Sequence, residues 1–487
     1  MVTETRATPA RQSLFLDRLA PKVNDPFALF SLLFAFGVLN HTHTLGSITA
    51  NYSNVGVTLF SIAAVALLIW PSSRRLLVAM SAGVAISVLS KMPSVVNHWL
   101  AFGVITLAYL AVATITLRES DREGRRAILT AGTMYIGAVA IVCVWAVAAF
   151  HKLNSGFFDT VYSCALDHTN DLTRLFGLGR PVGGGFIGWL IIIAAIGTEI
   201  LVPLFLLLRR RRLFGLALAF GFHLVMAVNG HQAFSGLALA LYVPFLPNEI
   251  WRGFDPTDIW ERITYRYIQL AGMFMAALGA ALTLMGSNYN LHWRGRMFYI
   301  VGSTLVAAIV FRALRRSQAF DSVESTMSSL LGKLDDGARR AISVIAIVVV
   351  AAFAINGLAP YLGIKSQLTI SMYSNLRVES DERWNHLLVP EAVRVFGGDD
   401  DMIRVVNIAD ENIDWLEGKI LHRFEVRRRL SAACDGTPIA LAYSVDGSSI
   451  QTTIADACES EFGQKPSLLQ RKLLTFREVV EPNECQW

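Results

Sequence analysis

Charge is scarce in this chain. Only 17% of its 487 residues are charged and 53% are hydrophobic. A soluble globular protein carries roughly 25% charged residues, so an ordinary soluble domain is excluded and an integral membrane protein is expected. The net charge is only +5, and no run of aromatics interleaved with Lys or Arg marks a nucleic-acid surface. Basic cytoplasmic loops account for the surplus, and no nucleic-acid partner is expected. Cysteines number five, with no C-x-x-C pair, and no Ser/His/Asp signature occurs. Gly183-Gly184-Gly185 is followed by no Walker lysine, so it is not a phosphate loop. The segment 1–25 is polar, with neither an apolar h-region nor a small-residue cleavage site. It reads as a cytoplasmic tail, and the first apolar run stays in the protein. No internal repeat is visible.

What the chain has is apolar runs, at about 27–47, 54–71, 74–92, 96–117, 128–152, 184–208, 213–229, 234–247, 265–286, 297–314 and 340–363. They predict a mainly α, polytopic helical bundle of about eleven crossings over residues 26–364. The run 234–247 is short of the roughly 17–25 residues a span needs. Loop charges orient the bundle. Arg74-Arg75, Arg118 to Arg126, Arg209 to Arg212, Arg252 to Arg266 and Arg312 to Arg340 alternate with loops 48–53, 93–96 and 230–233, which carry no Lys or Arg. This places the N-terminus inside and, with an odd number of crossings, the C-terminal region outside. Residues Asp321 to Ala338 read as an amphipathic segment on the membrane surface, with Met327, Leu330, Leu331 and Leu334 on one face.

After Gly363 the composition turns polar. Alternating stretches at Ile403–Ile408, Phe424–Arg427, Ile439–Val445 and Leu473–Val479, with turns at Asp435-Gly436 and Asp446-Gly447, predict a small β-rich extracytoplasmic domain over 365–487. Cys143 lies within an apolar run and reads as a packing residue. Cys164, Cys434, Cys458 and Cys485 all fall on the outer side, which implies an oxidising compartment. Cys434 with Cys458, 24 residues apart across two predicted strands, is one expected disulfide. Cys164 with Cys485 is the second.

Polar residues inside the apolar runs are the functional candidates. Lys152 ends the fifth run. It is either an anchor reaching the headgroups or a base in a dry site, where desolvation disfavours the ammonium form. Glu199 lies well inside the sixth run, where a carboxylate costs roughly 2.5–3.5 kcal/mol. It is paired, functional, or hydrogen-bonded to a neighbouring helix. His223 sits midway along the seventh run, as a packing residue or a site residue, and Asn97-His98 opens the fourth. His41 and His43 look like a metal pair. Residues i and i+2 of a helix point apart, however, and no carboxylate or cysteine is near, so no metal is predicted.

Four blocks in this order resemble the membrane domain of the vitamin K-dependent gamma-carboxylase family, also called the HTTM (horizontally transferred transmembrane) family. They are Asn97-His98 with a Gly-containing helix, and Phe150-His151-Lys152-Leu153-Asn154 with an aromatic-rich loop. Glu199 with the Arg209 to Arg212 cluster and Phe222-His223 comes next, followed by Gln232-Ala233-Phe234-Ser235-Gly236 with Pro244 to Pro247. The stretch Met372 to Arg377 with Asn385-His386 is similar to the start of the outer domain in bacterial members, and the resemblance covers about residues 25–400. It implies a reduced quinone of vitamin K or menaquinone type as cofactor and Lys152 as the base that deprotonates it. His98 and Asn97 would orient or stabilise the reacting groups, and Glu199, His223, Gln232 and Ser235 would line the pocket. The chain departs from the family in its short C-terminal region and in Met226, where the family has Asn after Phe-His.

Two other functions compete with a quinone-dependent carboxylase or epoxidase-like enzyme. One is a transporter or an export or immunity partner, although no repeated pair of broken helices is visible. The other is a non-catalytic protein whose outer domain binds a peptide or protein partner. The discriminating observation is whether Lys152, His98 and Glu199 or His223 line one pocket.

Overall fold

Asp121 starts the longest helix among the described residues. Its side chain accepts a 2.7 Å hydrogen bond from the Gly124 amide, and Glu123 sits in the first turn, where a negative charge favours the helix N-terminus. The computed structural model describes residues 25–44, 54–178, 184–285, 292–380, 382–397, 401–483 and 485. Nearly all of the 1–25 tail, the loop 48–53 and the side chain of His43 lie outside these residues. The bundle comprises α1 Pro26–Thr44, α2 Val55–Ile69, α3 Arg74–Lys91, α4 Asn97–Ile115, α5 Arg122–His151, α6 Cys164–Leu175, α7 Gly185–Leu207, α8 Arg212–Val228, α9 Gln232–Leu241, α10 Ile259–Leu284, α11 His292–Ser317, α12 Thr326–Gly332 and α13 Asp336–Leu358.

Every apolar run of the sequence falls on one of these helices. Among the described residues six are long and apolar enough to cross a membrane: α4, α5, α7, α8, α11 and α13. Such segments must satisfy their backbone groups internally, which a helix does. The bundle suits a membrane protein, and the count of about eleven crossings is finer than these six helices. α5 is central, touching α4, α7, α9, α12 and α13. α1 is buried almost throughout and packs along the short α9, so close that a Cβ on Gly37 would lie 2.4 Å from the Gly236 carbonyl oxygen.

Two expectations about helical segments are corrected. The amphipathic segment 321–338 contains only the seven-residue α12 before α13 begins. Its Met327, Leu330 and Leu331 pack on the bundle core, because Ser325 and Thr326 are tied to residues 246–251 of the bundle. The loop after Lys152 holds an amphipathic helix, α6, capped by the Ser163 hydroxyl on the Ala165 amide.

The C-terminal region is a four-stranded antiparallel sheet in the order β2-β1-β3-β4 (β1 Met402–Ile408, β2 Ile420–His422, β3 Leu441–Val445, β4 Gln451–Ile454). Val405 pairs with Tyr443, and the register shifts before Asn407. That bulge turns Ile408 inward with Ile403 and Val405. Asp446-Gly447 makes the β3–β4 turn, with Gly447 at φ 78°. Two of the expected strands differ. Phe424–Arg427 belongs to α14 (Arg423–Ala433), whose buried Val426 and Leu430 lie one turn apart and face the sheet. The stretch Leu473–Val479 follows the short α15 (Leu468–Leu473) and only bridges Ile420 through Val479. Disulfides join Cys434 to Cys458 and Cys164 to Cys485.

Candidate functional site

The site is built where α5 stops. Asn154 closes that helix end: its amide nitrogen donates to the carbonyls of His151 (2.7 Å) and Ser374 (2.6 Å), and its oxygen accepts from the Phe157 amide (2.8 Å). Backbone bonds from Ser155 to Asn385 and from Leu387 to Leu153 attach the same turn to the C-terminal region. Lys152, fixed by this joint, turns into the bundle. Its ammonium meets Glu199 Oε2 of α7 at 3.0 Å and donates to the Met372 carbonyl at 2.9 Å, with the Phe157 ring 5.8 Å away. Both members of the pair are buried. Pro203 stands one turn after Glu199 in α7. It has no N–H, so the Glu199 carbonyl lacks its helical donor and the helix is weakened beside the pair.

The pair lines a cavity of ≈ 780 Å³, within the usual range for small-molecule sites. Asn97 and His98, in the first turn of α4, line it as well. The Asn97 side-chain oxygen accepts from the Ile370 amide at 3.0 Å. His98 stands edge-on to His41 at 5.0 Å, and its Nε2 is buried with no hydrogen-bond partner among the described residues. His41 itself stacks on Trp99 at 4.0 Å. Apart from these groups the walls are largely apolar, with Val144, Trp145, Phe222 and Phe234 among them.

Three residues expected at the pocket stand elsewhere. His223 lies behind the wall, with Nδ1 3.2 Å from the Ser235 hydroxyl and Nε2 2.8 Å from the Tyr242 hydroxyl. Tyr242 in turn accepts from the Trp145 indole at 2.9 Å. His223 and Ser235 therefore hold the cavity's indole in place from the back. Gln232 is fully buried but is not part of the cavity lining. These side chains sit on helices that are apolar all round, so their spacing could not say whether they face the cavity or the next helix.

The sequence reading missed the roof. His168 of α6, His231 just before α9 and Tyr373 all line the cavity. The Tyr373 hydroxyl is 2.9 Å from His231 Nδ1, and the His168 ring lies 4.8 Å from His231 and 4.5 Å from Tyr373. Burial, and then the Lys152 charge, pull the His168 imidazole down to about 4, so it is neutral at physiological pH. The segment 366–376 that carries Met372 and Tyr373 contains four non-glycine residues in the left-handed region: Leu368 (φ 61°), Ile370 (64°), Tyr373 (52°) and Asn375 (51°). Such residues cost roughly 1–2 kcal/mol each and persist where surrounding bonds over-determine them. Here those bonds come from Asn97, Lys152, Asn154 and the Asn375 side chain, which accepts from the Cys164 amide at 2.8 Å and donates to the Tyr162 carbonyl at 2.9 Å. Asn375, well suited to φ > 0, was the one signal in the sequence for this turn.

A scan against protein-family models finds no match, and no curated protein or solved structure is similar to the chain.

Proposed function

We propose that the protein is a membrane enzyme that binds a reduced quinone of vitamin K or menaquinone type in this cavity and deprotonates it with Lys152, as a bacterial-type member of the HTTM or gamma-carboxylase-like family. One observation carries the reading. A lysine, a carboxylate and an Asn–His pair, carried on or next to three different helices, line one largely apolar cavity, the first two as a 3.0 Å ion pair. A snorkelling anchor would instead lead its ammonium out to the headgroups. A buried charge pair inside a bundle is expensive and marks a site.

The residues suit a flat aromatic head with a hydroxyl at each end. Val144, Trp145 and Phe222 supply apolar walls for the ring, and His98 Nε2 is a buried polar atom left for a ligand oxygen. Lys152 Nζ would take the proton of a bound hydroxyl, whose O–H electron pair stays on oxygen, and Glu199 Oε2, 3.0 Å away, would balance the ammonium so formed. Asn97 and His98 would orient the ring. A reduced quinone would supply electrons for oxygen chemistry. The family's carboxylation of a peptide glutamate is left aside, because Met226 stands at the family's Asn position and lines this same cavity.

The loop charges and the two disulfides support a cytoplasmic N-terminus, about eleven crossings and an extracytoplasmic C-terminal domain, with a bacterial plasma membrane as the location. The test is to purify the protein in detergent, identify a co-purified quinone by mass spectrometry and measure its turnover. Lys152→Arg keeps the charge but cannot act as a base, because guanidinium does not deprotonate in proteins. Lys152→Arg and Lys152→Ala should insert normally and lose turnover. Full turnover by Lys152→Arg at normal expression would leave Lys152 as an anchor.

A further inference from the structure

The helices α7 and α8 form a hairpin joined through Arg209–Arg211. Near that joint they touch: a Cβ on Gly215 would lie 2.9 Å from the Leu206 amide nitrogen. Farther from it they part, and a Cβ on Gly221 would meet no atom within 4 Å. Gly221 lines the cavity and is also exposed, and the same is true of Ala194, Ala217 and Val225. Apart from Val96, these four are the only exposed cavity-lining residues among the described residues. Positions 217, 221 and 225 are one turn apart on one face of α8 and mark a slot about 12 Å long.

The slot opens on a surface of large exposed side chains, among them Ile193, Ile200 and Phe214. Both flanking helices are long and apolar enough to cross a membrane. On the side of the C-terminal domain, Met372 and Tyr373 cover the cavity and are bonded to Lys152 and His231. A ligand entering between Met372 and Tyr373 would have to part these bonds. Through the slot it meets only small or apolar side chains.

We propose that the slot between α7 and α8 is a lateral portal, and that the ligand is a membrane-dissolved amphiphile. Its polar head rests against Lys152 and Glu199, and its long apolar chain runs out between Ala217, Gly221 and Val225 into the hydrocarbon layer. That the head is a reduced quinone rests on the function proposed above; the portal does not. Small residues at these positions leave the gap, because each added methylene would fill space that a chain needs.

The experiment uses the full chain in lipid nanodiscs and two hydroquinones with the same ring, one bearing a long isoprenoid chain and one bearing a methyl group. Gly221→Trp fills open space without a backbone clash. It should weaken equilibrium binding of the long-chain ligand by about tenfold or more, and by several-fold more than it weakens binding of the short one. Equal affinity of the long-chain ligand for both proteins overturns the portal. Should the wild-type protein bind neither ring, the quinone reading falls, and the portal is judged by a second probe, a nanodisc phospholipid with a diazirine at its acyl terminus. Adducts on Trp145 or Phe222 that disappear in Gly221→Trp support the portal. Adducts confined to outward residues such as Ile193 and Phe214 overturn it.

Discussion

Lys152 and Glu199 face each other at 3.0 Å with almost no contact with solvent. Removing one partner of such a pair leaves an uncompensated buried charge and costs about 3–5 kcal/mol, whereas replacing both with apolar residues of similar volume is often neutral. Lys152→Met and Glu199→Leu should therefore each lower the midpoint of thermal unfolding in detergent. The double substitution should recover most of the loss, while the quinone turnover proposed for the site should be absent in all three. Additive destabilisation in the double variant would show that the two side chains do not act as a pair. Four residues of this site were legible in the sequence because they are out of place there. Lys152, Glu199, Asn97 and His98 interrupt or open apolar runs, where a polar group needs a reason. His168, His231 and Tyr373 were not legible, since they sit in polar connections where such residues cost nothing. His223 was legible as an oddity, and of its two readings the sequence could not choose the packing one, which Ser235 and Tyr242 satisfy behind the wall.

Among the elements, the left-handed segment 366–376 closes the site, and Lys365 stands at its root. The Lys365 ammonium donates to the Asn356 side-chain oxygen at 2.6 Å and to the Leu368 carbonyl at 3.2 Å, and burial lowers it from 10.5 to about 8. Because the folded value lies below the unfolded one, the unfolded chain binds more protons between them. Stability contributed at this position therefore rises as pH increases from about 8 towards 10.5 and is reduced below pH 8. Unfolding midpoints compared at pH 7.5 and about pH 9.5 should show this gain in the wild-type protein relative to Lys365→Met. Parallel pH profiles for the two proteins would refute it. Element types followed the periodicity well inside the membrane and less well outside it. In 424–433 the helical spacing of Val426 and Leu430 competes with a short alternating pattern, and tertiary packing of α14 on the sheet decides.

At the scale of the whole molecule, the two disulfides do different work. Cys434–Cys458 closes a loop within the sheet domain, at a sequence separation of 24, and Cys164–Cys485 ties α6 to the end of the chain, at a separation of 321. Each should contribute about 2–4 kcal/mol. Cys434→Ser should destabilise the sheet domain and leave ligand affinity near the wild-type value. Cys485→Ser should weaken binding as well, because the Asn483 carbonyl and amide hold Asn375 in the roof. Equal ligand affinity in both variants, measured beside their unfolding midpoints, would separate the C-terminus from the site. The bundle as a whole was visible as apolar runs, but hydropathy does not say which of them face lipid. α1 is apolar and yet buried, because α9 and its neighbours enclose it.

The tie at Cys485 also sets an order in time. A ribosome delivers the membrane helices first, so Lys152 and Glu199 are made long before the roof that covers them. Residues 483–485 must be synthesised, reach the roof and be oxidised to Cys164 before the Cys164–Cys485 bond can hold it. Until then the Asn483 contacts that hold Asn375 lack their covalent tie.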